Sequence, residues 1–255
     1  MPEPSQVFWL GLAFARITAL LMIAPPFRGR NVPFVLKAGL ALLLALLLQS
    51  TTAGSLLVPT NAWAFAGYLL REVAIGVSIG FMVQLFFFAV GVAGQLVDTE
   101  MGFHMAHVLD PMAENQLPLM GNLFSMLSLL LYLSLNGHLL LLRALAESFY
   151  LLPVGELGLP ANLTLLIASC VRLLLLAVQI ALPVIGASLF TSLMFGIMAK
   201  SVPQMNVFIV GMPLKIIILS VALLVALPSL MLLMEKGLGD VMLRLADWMA
   251  SRAVP

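Results

Sequence analysis

The sequence predicts an all-α protein of long, kinked hydrophobic helices and helical hairpins, with a loop folded between them near the middle. Three observations carry that prediction. Apolar residues make up 62% of the 255 residues and charged ones 9%, which leaves too little polar surface to cover a water-soluble globule. Six apolar runs, at residues 7–24, 34–53, 62–97, 117–147, 163–199 and 207–235, are rich in Leu, Ala, Ile and Met and are several times longer than a strand. Where the third run gives way to the fourth lies a long polar interruption, residues 94–118, GQLVDTEMGFHMAHVLDPMAENQLP. Such a chain belongs in a membrane, or in an assembly that takes the place of one.

The first run follows a start, MPEPSQVFWLGLAF, with neither a basic stretch nor a small-residue cleavage site, so it is expected to be an uncleaved helix. Pro25 and Pro26 end it. Arg28, Arg30 and Lys37 then form the densest positive cluster, which the positive-inside rule assigns to the cytoplasm. The third and fifth runs, each about 36 residues, would reach about 54 Å as helices against a hydrocarbon core of about 30 Å. Neither is a simple perpendicular span. Gly67, Gly76, Gly80, Gly91 and Gly94 in the third let neighbouring backbones approach, and Pro183 with Gly186 predicts a kink in the fifth. In the fourth, Asn136-Gly137 reads as a helix break or tight turn before His138. After Glu235 the pattern turns amphipathic: Leu238, Val241, Met242, Leu245, Trp248 and Met249 alternate with Lys236, Asp240, Arg244, Asp247 and Arg252. That tail suits an interface or a partner.

The central stretch holds Asp98, Glu100, Asp110, Glu114, His104 and His107 but no Lys or Arg, and threads Met101, Phe103, Met105, Val108, Leu109, Met112 and Leu117 among them. A loop of this kind rests against something apolar. Gly94 and Gly102 loosen a helix there, while Pro111 and Pro118 exclude helix interior and bias Asp110 and Leu117 toward extended backbone. His104, His107 and Asp110 have a spacing open to a divalent metal, but no HExxH or cysteine accompanies them, and capping and turn contacts are the reading preferred. Met101, Met105 and Met112 beside Phe103 could form a yielding seal, although spacing alone favours ordinary gap filling.

Arg16, Arg71, Glu72, Arg143, Glu147 and Arg172 fall within helical runs, where each would cost about 2.5–3.5 kcal/mol unpaired. Arg143 and Glu147 are four apart and can pair locally. Arg16, Arg71 and Arg172 outnumber Glu72, so inter-helix or inter-subunit carboxylates, helix carbonyls or snorkelling must serve the excess. No carboxylate stands isolated in mid-helix as a proton relay would want. Other classes find less. The net charge of +1 has no basic cluster fit for nucleic acid, and a single cysteine, Cys170, allows no intrachain disulfide. With no GxSxG elbow, Walker loop or nucleotide fingerprint, no catalytic, cofactor-binding or metal-binding residue is assigned, and no enzyme is expected.

The runs GQLVDTEMGFHMAHVLDP, LYLSLNGHLLLLRALAESFYLLPVG and KSVPQMNVFIVGMPLK carry a resemblance to the FliR/SctT family of type III secretion export-gate proteins, over nearly the whole chain and closer to its flagellar branch. The resemblance implies a core subunit of an export gate in the bacterial inner membrane, at the flagellar basal body. It would assemble with several copies of FliP and FliQ in a helical complex, with FlhB wrapped near the entrance and unfolded proteins as cargo. Residues 1–162 would be FliP-like, 163–235 a FliQ-like hairpin and 236–255 the tail. Residues 102–118 would plug the lumen, with Met101, Gly102, Phe103, Met105, Asp110, Pro111 and Met112 as the seal and its path. Lys200, Pro203, Gln204 and Asn206 would form the cytoplasmic-side hairpin loop that meets FlhB. Lys200 stands where the family pattern has Arg, which implies a point-charge rather than a bidentate contact. Six spans would put both termini outside. The alternative is a stand-alone transporter coupling ions through Glu72, Glu147 and the histidines, with a metal-dependent membrane enzyme third.

Overall fold

A computed structural model of the chain describes residues 4–25, 27, 32–52, 61–103, 118–155, 163–201 and 207–251. Every regular element among them is a helix: α1 (Pro4–Ile23), α2 (Phe34–Thr52), α3 (Ala62–Met101), α4 (Leu119–Ser134), α5 (Gly137–Leu151), α6 (Leu163–Ser201) and α7 (Val207–Ala250). The all-α class and the long apolar helices are as expected. The fourth run breaks at Asn136-Gly137, as expected, into two helices bent by 66°. Asn136 takes the left-handed conformation at the corner (φ 55°), which Asn or Gly tolerates best, and a Cβ on Gly137 would overlap the Tyr132 ring, so glycine is required there.

The third run extends four residues past its expected end at residue 97, as α3 continues to Met101 within the polar stretch. The last run does not stop at Glu235, and α7 is one helix of 44 residues, about 66 Å long. The expectation of six spans is not met among the described residues: α1, α3, α6 and α7 are long and apolar enough to cross a membrane, and the bent α4–α5 pair makes five. The apolar part of α2, Phe34–Gln49, is shorter than the others.

Contacts divide the chain into two compact units, one of Met1–Phe86, Tyr132–Cys170 and Leu238–Pro255, the other of Phe87–Leu131 and Val171–Gly237. In the first, α1 buries a stripe at helical spacing, Trp9, Leu12, Ala13, Arg16, Ile17, Leu20 and Leu21. It lies close to α3: a Cβ on Gly76 would fall on the carbonyl of Arg16, and one on Gly80 would come within 3.1 Å of the carbonyl of Leu20. Trp9 meets the Phe149 ring of α5 at 5.7 Å. The end of α7 buries Leu238, Val241, Leu245, Trp248 and Met249 and exposes Lys236, Asp240 and Asp247. In the second unit α3 and α4 cross at glycines, where a Cβ on Gly94 would sit 2.6 Å from the Cα of Gly121.

On α2 the small residues face in and the large ones out. Ala41 and Ala45 are buried, while Val35, Leu36, Leu42, Leu43, Leu46 and Leu47 are exposed, Val35 by 79%. On α6 the exposed face carries Leu174, Leu175, Leu182, Leu189 and Phe190, and on α7 Leu224 and Val225. Faces this apolar require lipid or protein around them.

Candidate functional site

The central insertion leaves α3 and returns at α4, and both points are built around Asp98. At the end of α3, Gly102 adopts φ 80° and its N–H bonds to Thr99 O (3.2 Å), while Phe103 N–H bonds to Asp98 O (3.2 Å). This is a Schellman ending with glycine in the left-handed position. At the start of α4, Pro118 supplies its carbonyl to Asn122 N–H (2.9 Å) but has no side-chain acceptor for the amides of the first turn. Asp98 supplies one from across the insertion: Oδ1 accepts from Met120 N–H at 2.9 Å and Oδ2 from Gly121 N–H at 3.0 Å. Its side chain is almost fully buried, 1% exposed. A carboxylate against a helix N-terminus meets both free donors and the positive end of the dipole. Two residues on, Glu100 accepts a 2.5 Å hydrogen bond from Ser188 Oγ of α6.

Of the residues expected to seal the plug, Met101 is buried and Gly102 and Phe103 are half-buried where the insertion begins. Met105, Asp110, Pro111 and Met112 lie outside the described residues, as do His104 and His107. At the other expected site, Lys200 is exposed in the last turn of α6, and Pro203, Gln204 and Asn206 lie outside the described residues.

Three of the intrahelical charges, Arg16, Arg71 and Glu72, form a buried cluster in the first unit. Arg16 donates from Nε to Glu72 Oε2 (2.6 Å), from Nη1 to Ser148 O (3.0 Å) and Oγ (3.2 Å), and from Nη2 to Leu152 O (2.8 Å). Its guanidinium lies 4.3 Å from the Phe149 ring centre. Arg71 donates from Nη1 to Glu72 Oε1 (2.8 Å) and to Pro153 O (2.9 Å). One carboxylate thus serves two guanidiniums, and the surplus positive charge meets carbonyls at the C-terminal end of α5, the negative end of its dipole. Arg16 and Glu72 are fully buried and Arg71 nearly so. Arg143 and Glu147 pair at 2.9 Å on the exposed face of α5, and Arg172 is exposed on α6.

Sequence reasoning missed the acceptors. Ser148, Leu152 and Pro153 act through backbone carbonyls, which no residue type announces. Asp98 was legible only as one polar residue of the insertion. The signal that could have found it is Pro118 at a helix start, a cap position with no acceptor of its own.

The family described as bacterial export proteins, family 1, matches the chain over residues 7–241. The chain is similar to the flagellar biosynthetic protein FliR of Escherichia coli strain K12, 32% identical over 87% of this chain and 86% of the relative. It is also similar to the flagellar biosynthetic protein FliR of Bacillus subtilis strain 168, 34% identical over 85% of each. The secretion system apparatus protein SsaT of Salmonella typhimurium strain LT2 is 33% identical over 65% of each chain.

Proposed function

The chain belongs to the bacterial export proteins, family 1, and from that premise we propose that it is a component of the flagellar type III export apparatus that helps to form and close the channel through which unfolded flagellar proteins leave. It is a non-catalytic subunit of the bacterial inner membrane at the flagellar basal body, assembled with FliP and FliQ subunits and with FlhB, and other components supply the energy. Residues 1–162 are FliP-like, 163–235 form a FliQ-like hairpin, and 236–255 are the tail.

The observation that carries this reading is the insertion whose two ends meet at Asp98. A stretch of mixed polar and apolar sequence whose flanking helices are joined at Asp98 is suited to lie across a lumen, with Met101, Gly102, Phe103, Met105, Asp110, Pro111 and Met112 as the closing residues. The large exposed apolar faces of α2, α6 and α7 suit a subunit covered by lipid and by neighbouring helices. Lys200, Pro203, Gln204 and Asn206 then belong to the cytoplasmic-side loop that meets FlhB.

The transporter alternative finds no support. Glu72 is engaged by two arginines and Glu147 by Arg143, so neither is a free carboxylate placed to relay protons.

The test is deletion of residues 103–112 in the native host, with the flanking helices kept. A leaky inner membrane with an assembled apparatus is the expected outcome. An ion-tight membrane around a verified assembled apparatus would rule out closure by this loop.

A further inference from the structure

We propose that Asp98 is a positioning residue that locks α3 to α4 in a stem which stays joined while proteins are exported, so that the chain between them works from fixed feet; the inference rests on the export reading above.

The usual cap of a helix comes from the residue just before it. Here Pro118 holds that place and offers no side-chain acceptor, and the acceptor comes from Asp98, 22 residues upstream of Met120 on the helix that enters the insertion. Both carboxylate oxygens are used, on two successive amides, and the group is 1% exposed. The carbonyl of the same residue receives Phe103 N–H in the turn that ends α3. One residue therefore sets where the chain leaves α3 and where it joins α4.

Two further features resist separation. Gly94 and Gly121 bring the backbones so close that not even a Cβ fits between them, a contact with no side chain to slide on. The hydrogen bond from Ser188 to Glu100 ties the last turn of α3 to α6. Parting α3 from α4 would strand two amides and a carboxylate in apolar surroundings at once, whereas bending the chain between them strands none of these groups. A cap that served only the stability of α4 would need neither an acceptor from a helix across the insertion nor the glycine crossing.

A disulfide staple tests the stem in the assembled apparatus in the native host. A Cβ at Gly91 would lie 3.7 Å from Ser125 Oγ, which makes Gly91→Cys with Ser125→Cys the pair chosen for the staple. The background carries Cys170→Ala, since Cys170 is the one native cysteine. With Asp98 in place, closing the staple with a thiol oxidant is expected to leave export of flagellar protein within about two-fold of the reduced cells, on the premise that the stem does not open. Export that stops on oxidation and returns on reduction overturns the proposal, as does a staple that does not close. Asp98→Ala without the staple is expected to lower export by about ten-fold or more, through misplaced feet, and Asp98→Asn, which keeps one acceptor oxygen, by less.

Rescue separates positioning from simple loss of folding. Adding the closed staple to Asp98→Ala is expected to restore most of the lost export. If Asp98→Ala exports normally, or if the closed staple restores nothing, the proposal fails. The reading of the insertion as a plug fails differently, by an ion-tight membrane after deletion of residues 103–112, a result that leaves the staple outcome unaffected.

Discussion

At the scale of single residues, the protein settles its buried charges through geometry that ordinary spacing rules reach only in part. The pair of Arg143 and Glu147 is legible in the sequence because four residues bring two side chains together on a helix. Glu72 and Arg16 are 56 residues apart, and only the close approach of α1 and α3 brings them together. The contrast predicts unequal costs. Glu72→Ala leaves two guanidiniums in the core without their carboxylate and is expected to destabilise the protein by about 3–5 kcal/mol. Glu147→Ala removes an exposed i,i+4 pair and is expected to cost about 0.5 kcal/mol or less. Thermal unfolding of the detergent-purified protein reads both, and equal shifts would mean that the buried cluster carries no special weight. Replacing Arg16, Arg71 and Glu72 together with methionines should cost less than Glu72→Ala alone, because no charge is then left stranded.

At the scale of elements, composition and run length were enough to call the class and to find the apolar helices, since a Leu-rich run of 20 or more residues has few other structures open to it. The Asn136 corner was legible for a local reason too, as Asn-Gly marks a left-handed turn wherever it stands. The ends of α3 and α4 were less so. The continuation of α3 to Met101 depends on Asp98 and Glu100 finding acceptor roles with Met120, Gly121 and Ser188, none of them near in sequence. The glycines predict a further contrast. Gly76→Ala pushes a methyl group onto the carbonyl of Arg16 and is expected to destabilise by about 1–3 kcal/mol. Gly39→Ala on α2 meets nothing within 4 Å and is expected to stabilise by up to about 1 kcal/mol through helix propensity. Opposite signs in the same thermal measurement would bear out the close approach of α1 and α3; two gains would refute it.

At the scale of the whole molecule, the exposed apolar faces decide where the chain is stable. Alkaline carbonate washing is expected to leave it in the membrane pellet, and release into the wash would show that its apolar faces are covered without lipid or partner helices. The arrangement of α2 has a consequence for how the protein tolerates change. In a water-soluble protein the large apolar positions of a helix are the constrained ones and the outward positions drift. On α2 that order is reversed: Ala41 and Ala45 sit in the packed face, where even one added methylene must displace a neighbour, while Leu42, Leu43, Leu46 and Leu47 need only remain oily. A saturation library across this helix should therefore read inside out, with the two alanines nearly immutable and the leucines freely exchanged among Ile, Val, Phe and Met.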